Sequence, residues 1–149
     1  KQYPAEKWIS FVQQTYPALY IYFLGSEKDF LLCENIIAES GHENALNLAG
    51  KLSFLESAAL MKDAQMNYVN DSAPLHLASA MNASTTAVFC STVPSFGFGP
   101  LSEDAEIVQI DYNLSCRPCG LHGYRKCPEN HFKCALTIKD DQLLKRLKT

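Results

Sequence analysis

Residues 66–80 constrain the fold more than any other part of the chain. A short apolar run, residues 66–69, ends in Asn70-Asp71-Ser72-Ala73-Pro74 and leads into Leu75-His76-Leu77-Ala78-Ser79-Ala80-Met81. That order reads as strand, tight turn, helix. Asp71 and Ser72 offer side-chain oxygens at the turn. Pro74 suits a helix first turn, where a missing N–H costs nothing. No Asp or Glu follows the cap on that first turn. The N–H groups and the positive dipole end are therefore open to an anion. In an α/β sheet the carboxyl end of a strand is also where ligands bind. An ordinary capped helix satisfies the same residues, so two readings stand at this point.

The rest of the chain repeats the alternation. Helices are expected over residues 4–14, with Trp8, Phe11 and Val12 on one face, and over 27–40, with Phe30, Cys33 and Ile37 at helical spacing and Gly41 as a stop. Ser53-Phe54-Leu55-Glu56 is a capping box that opens a third helix to about Lys62. Strands are expected over 19–24, 45–48, 85–89 and 106–111, and an amphipathic helix over 139–148. Such units favour one Rossmann-like α/β domain over residues 1–149, a parallel sheet with helices on both faces. The length of 149 residues and the 47% hydrophobic share fit one packed domain. Residues 94–100 and the Cys-rich segment 116–134 are the irregular parts.

Charge and hydropathy narrow the partners. A net charge of −3 gives no basic field for nucleic acid. The local basic excess is small, in 117–133 and at Lys145-Arg146-Lys148, which is expected to complement a helix C-terminus. No apolar run is long enough to span a membrane, and no signal peptide opens the chain. The start at Lys1 without Met is read as a fragment of something longer.

Four of the six cysteines form Cys116-x2-Cys119-x7-Cys127-x6-Cys134. Four thiolates fit tetrahedral zinc, although the second pair lacks the close spacing of the first. Reduced packing thiols, or disulfides formed in air, are the other readings. Cys33 and Cys90 are expected to be buried and inert.

The order of motifs resembles the C-terminal half of glycosyltransferase family 9, the lipopolysaccharide heptosyltransferases. Lys1-Gln2-Tyr3-Pro4 with Glu6 and Trp8 resembles the family's Lys-x-Trp-Pro-x-Glu-x-Trp opening. Leu24-Gly25 resembles its strand ending in Gly before an acidic helix start, and residues 48–53 its Gly-Lys-x-Ser segment. Residues 70–78 resemble Asp-Ser/Thr-Gly-Pro-x-His-Leu-Ala, and residues 89–100 the Phe-Gly-Pro-Thr loop with its later Gly-Pro. The Cys-rich segment has counterparts there too.

The resemblance implies the donor half of a GT-B glycosyltransferase, a fold of two Rossmann-like domains. It implies an ADP-sugar as donor, heptose as the sugar, and a lipid-linked saccharide as acceptor. Lys1 matches the donor-phosphate lysine, Asp29 the ribose carboxylate, and Leu52 with the backbone near Lys51 the adenine-facing segment. Asp71, Ser72 and Ala73 match the phosphate turn. For Asp29 the competing role is first-turn dipole complementation. His76 is expected to orient the turn from within the helix. Ala73 replaces the family's Gly, and Cys90-Ser91 replaces the Gly-Pro before Thr92. The base that activates the acceptor belongs to the family's N-terminal acceptor domain, so no catalytic residue is assigned in this chain. No metal is required, because Lys1 and helix N–H groups carry the phosphate charge. The implied setting is the cytoplasm, with peripheral contact at the inner face of the inner membrane. The alternative class is a metal-stabilised module that meets a partner through the Cys-rich segment.

Overall fold

The computed structural model describes residues 2–147. Helices and strands alternate as expected: α1 (Ala5–Gln13), β1 (Ile21–Phe23), α2 (Phe30–Ser40), β2 (Ala45–Asn47), α3 (Phe54–Lys62), β3 (Asn67–Asn70), α4 (Ala73–Ala80), β4 (Thr85–Val88) and β5 (Ala105–Val108). Two short helices follow, α5 (Lys133–Leu136) and α6 (Asp141–Leu144). Every strand pair is parallel, so the α/β class holds.

The sheet is not continuous. Among the described residues β1 pairs with β2, and β3-β4-β5 form a separate three-stranded sheet. Side chains bridge the gap: Phe23 and Tyr68 border one apolar cluster, and the Tyr68 ring lies 4.6 Å from that of Phe11. Central β4 is buried throughout, as a strand covered on both faces must be. Its pleat splits the core. Val88 joins a cluster with Phe11 and Val12 of α1, Ala135 of α5 and Leu143 of α6. Ala87 joins the opposite cluster with Met61 of α3 and Leu75 and Ala78 of α4. Helices therefore cover both faces.

Local signals set the helix ends. The Ser53 N–H donates to Glu56 Oε2 at 2.8 Å and the Glu56 N–H to Ser53 Oγ at 3.3 Å, the reciprocal box the sequence predicts. Gly41 closes α2 in the left-handed region at φ 65°. At the chain start, the Tyr3 N–H donates to Asn70 Oδ1 at 2.8 Å, which ties the approach to α1 to the end of β3.

The C-terminal reading needs correction. The expected helix over 139–148 is a single turn, α6, and α5 precedes it unforeseen. Lys145 stands at the C-cap of α6, as expected, and Lys145 and Arg146 also pair with Glu106 and Asp104 of β5 and its approach. Lys148 lies outside the described residues.

Asp140 at the start of α6 accepts hydrogen bonds from Ser10 and Gln14 of α1 and its cap, and pairs with Lys7 at 2.9 Å. Burial works to raise this carboxyl, but hydrogen bonds from Ser10 and Lys7 and the Lys7 charge outweigh it and hold it below its ordinary value. A carboxyl depressed in the folded state stabilises above its unfolded pKa and loses that contribution as pH falls through the folded value. Asp140→Asn should therefore cost about 1–2 kcal/mol at neutral pH and flatten the acid limb of stability below about pH 4. Urea unfolding across pH checks this; equal acid slopes in both proteins would remove Asp140 from the acid response.

Candidate functional site: a cleft at the strand ends

β3 ends at Asn70 and α4 starts at Ala73, so the turn Asp71-Ser72 lies at the carboxyl end of the sheet. Ser72 occupies the cap position, but its side chain makes no cap hydrogen bond to α4. The Ser72 hydroxyl donates instead to the Asn70 carbonyl at 3.3 Å. The Ser72 cap is thus absent, which leaves the first turn more open to an anion. Asp71 is buried, and its Oδ2 accepts from the Thr92 hydroxyl at 2.6 Å. Ala73 is exposed and is not among the residues with positive φ, so its methyl group adds no backbone strain.

Asp71, Ser72 and Ala73 share a cleft of about 280 Å³ with His76, Val93, Phe96, Phe98, Leu121 and His122. The lining mixes polar groups of the turn with apolar Val93, Phe96, Phe98 and Leu121. His76 is exposed here and meets the Phe98 ring edge-on at 6.4 Å, so it faces the cleft rather than bracing the turn from inside. A wider cleft of about 630 Å³ lies at the ends of β4 and β5, with Tyr112 and Arg117 on its wall.

The other matched residues stand apart from this cleft, at the ends of β1 and β2. Asp29 Oδ2 accepts from both the Ser26 N–H (2.8 Å) and the Ser26 hydroxyl (2.7 Å). Asp29 thereby closes a capping box with Ser26 at the start of the helical turn Glu27–Asp29. Gly25 makes room for it: a Cβ there would stand 2.9 Å from Asp29 Cβ. Leu52 is half-buried in the turn before α3, and Lys51 places its ammonium 5.5 Å from the Phe30 ring centre. Lys1 lies outside the described residues.

Two residues of the site were invisible as such in the sequence. Thr92 is buried and braces Asp71; its only sequence signal is its place in the Phe-Gly-Pro-Thr-like loop. Arg117 shows in the sequence only as part of a local basic excess. Its Nη2 donates to the Thr92 carbonyl at 2.7 Å and to Gln109 Oε1 at 2.8 Å, and its Nε to the Thr92 carbonyl at 3.2 Å. The guanidinium fork thus clamps the backbone of the residue that holds Asp71.

The four cysteines lie close enough to interact: burial raises the Cys134 thiol most, and Cys119, Cys127 and Cys116 all raise it further. Among the described residues no three His, Cys, Asp or Glu side chains form a metal-ligand group. Cys134 is buried in the core, where burial pushes its thiol up to about 11. Cys127 behaves differently: the Phe132 N–H reaches its sulfur at 3.4 Å, and that bond leads the causes holding its thiol below the ordinary value. Cys116 Sγ lies 3.8 Å from His131 Nε2. Cys33 and Cys90 are buried as expected, and desolvation pushes them up to about 11 and about 12.

The sequence profile of glycosyltransferase family 9 (heptosyltransferase) matches residues 1–126. Lipooligosaccharide heptosyltransferase 2 of Campylobacter jejuni is 27% identical over 119 residues, which cover 78% of this chain and 36% of that protein. Lipopolysaccharide heptosyltransferase 3 of Escherichia coli is 41% identical over 69 residues, 46% of this chain and 20% of that protein. The chain thus spans little more than a third, at most, of either relative's length. The solved structure of E. coli ADP-heptose lps heptosyltransferase II overlays with a TM-score of 0.75 at 22% identity, over 98% of this chain and 40% of its own. A family 9 glycosyl transferase from Veillonella parvula overlays with a TM-score of 0.76 at 20% identity, over 98% of this chain and 40% of its own.

Proposed function

Since this chain belongs to glycosyltransferase family 9, the heptosyltransferase family, we propose that it is the nucleotide-sugar-binding half of a glycosyltransferase that moves heptose from ADP-heptose to a lipopolysaccharide core acceptor. The observation that carries this reading is the uncapped N-terminus of α4, opening into the cleft beside Asp71, Ser72 and Ala73. A diphosphate needs N–H donors and a cation. The helix start supplies the first, and Lys1, by its match to the family lysine, the second. Asp29 keeps Oδ1 for a ribose hydroxyl. The turn around Leu52 takes the adenine.

Transfer proceeds by direct displacement at the sugar carbon with inversion, and the donor half contributes by holding the departing diphosphate. With phosphate charge met by Lys1 and backbone dipoles, this half needs no metal. The base that deprotonates the acceptor hydroxyl sits in a partner domain that also binds the lipid-linked saccharide. This chain alone therefore binds donor without transferring sugar. The complete protein works in the cytoplasm and touches the inner face of the inner membrane where its acceptor is anchored. Among the described residues no helix is long and apolar enough to cross a membrane.

Calorimetry on the full-length protein with ADP tests the site. Asp71→Ala should raise Kd about tenfold, because the turn loses the carboxylate that Thr92 holds in place. Unchanged affinity in a folded variant would remove Asp71 from the site.

A further inference from the structure

Residues 116–134 contain no regular element before α5, yet their first part is fastened to the donor cleft. Arg117 clamps the Thr92 carbonyl, and the Cys119 N–H donates to the Ser91 carbonyl at 2.8 Å. Both anchors lie in the loop after β4 that also braces Asp71. From them the chain runs to Leu121 and His122, which line the same cleft as the Asp71 turn. Leu121 is 53% exposed although it stands at an apolar wall. His122 is exposed, with no hydrogen-bond partner among the described residues.

The chemistry of a diphosphate selects among the cleft's groups. Its oxygens only accept hydrogen bonds at neutral pH. The Asp71 carboxylate is an acceptor too and already takes the Thr92 hydroxyl. The donors available are the N–H groups of α4 and the imidazoles of His76 and His122. An imidazole keeps one N–H when neutral and two when protonated, so His122 donates in either state. It comes from a segment remote in sequence from the turn, which gives the cleft a second side.

We infer that the Cys-rich segment is a strap across the donor cleft, that His122 contacts the diphosphate of the nucleotide sugar, and that Arg117 positions the strap in register with Asp71. The inference rests on the donor-site reading above. It is tested in the full-length protein with ADP as probe and with donor and acceptor KM measured separately. His122→Ala should raise the ADP Kd about tenfold without shifting thermal unfolding, and His122→Gln, which keeps an N–H donor, should recover part of the loss. Arg117→Lys, which loses the planar fork, should raise donor KM and leave acceptor KM unchanged. The double variant should lose little beyond His122→Ala alone, since both changes act at one contact. An unchanged Kd for His122→Ala alongside weakened binding by Asp71→Ala would overturn the strap and leave the donor site standing. Unchanged Kd in both variants would overturn the strap and the donor site together.

Discussion

Gly50→Ala should lower the unfolding free energy by about 3 kcal/mol and weaken ADP binding with it. Gly50 holds φ at 74°, in the left-handed region that costs a side chain about 1 kcal/mol or more. Space adds a second penalty. A Cβ at this position would stand 2.8 Å from Glu27 Cα, and that neighbour is backbone, so no rotamer change relieves the contact. The Gly50 N–H also donates to the Gly25 carbonyl at 2.9 Å, which links the ends of β2 and β1. Pushing Glu27 away moves the one turn of helix that carries Asp29, and with it the carboxylate proposed for the ribose. Gly41→Ala is the matched control. It has φ 65° but nothing within 4 Å of the new Cβ, so it should cost only the conformational part, about 1 kcal/mol, and leave ADP affinity alone. Denaturant unfolding and calorimetry on both variants decide it. Equal losses would mean that the crowding against Glu27 carries no weight.

That contrast reflects what a sequence can and cannot display. Ser53 and Glu56 meet three residues apart, and Gly41 directly ends the helix it follows, so both devices are written locally. The β-branched pair Thr85-Thr86 and the apolar residues after it mark β4 for the same reason. The Asp71 turn was legible as strand, turn and helix, but its wiring was not. Ser72 has the chemistry of a cap, yet its hydroxyl turns to the Asn70 carbonyl, a choice between two nearby acceptors and donors that composition does not settle. Asp71 is fixed by a residue 21 positions away, and Arg117 reaches Thr92 across 25. Such pairings depend on which strand ends the sheet brings side by side. The break between the β1-β2 pair and the β3-β4-β5 sheet has the same origin: Phe23 and Tyr68 border one apolar cluster, and a periodicity of two reads the same on either side of a missing ladder. His122 was hidden for another reason. It sits among cysteines whose spacing draws attention to metal chemistry, while its place on the cleft wall follows from where Arg117 and Cys119 are fastened.

Thr92→Val should be the most informative single change at the Asp71 turn. The two side chains have nearly the same shape, and Thr92 is 1% exposed, so packing is preserved while the hydroxyl is lost. Asp71 Oδ2 then loses the donor 2.6 Å away, in a position 5% exposed where water does not readily replace it. A buried acceptor of this kind costs about 1.5–3 kcal/mol when its hydrogen bond is removed. The Arg117 contacts go to the Thr92 carbonyl and survive the substitution, so the effect is confined to the Thr92–Asp71 link. ADP affinity of the folded protein should fall about tenfold, because the carboxylate loses the hydrogen bond that orients it beside the turn. Thr92→Ser keeps the hydroxyl and drops one methyl group. It should cost about 1 kcal/mol of stability and leave affinity near that of the parent. The comparison separates bracing from packing. If serine and valine weaken ADP equally, the hydroxyl is not what holds Asp71. If valine destabilises the fold but binds ADP as the parent does, the Asp71 carboxylate needs no fixed orientation, and the turn acts on the ligand through its backbone alone.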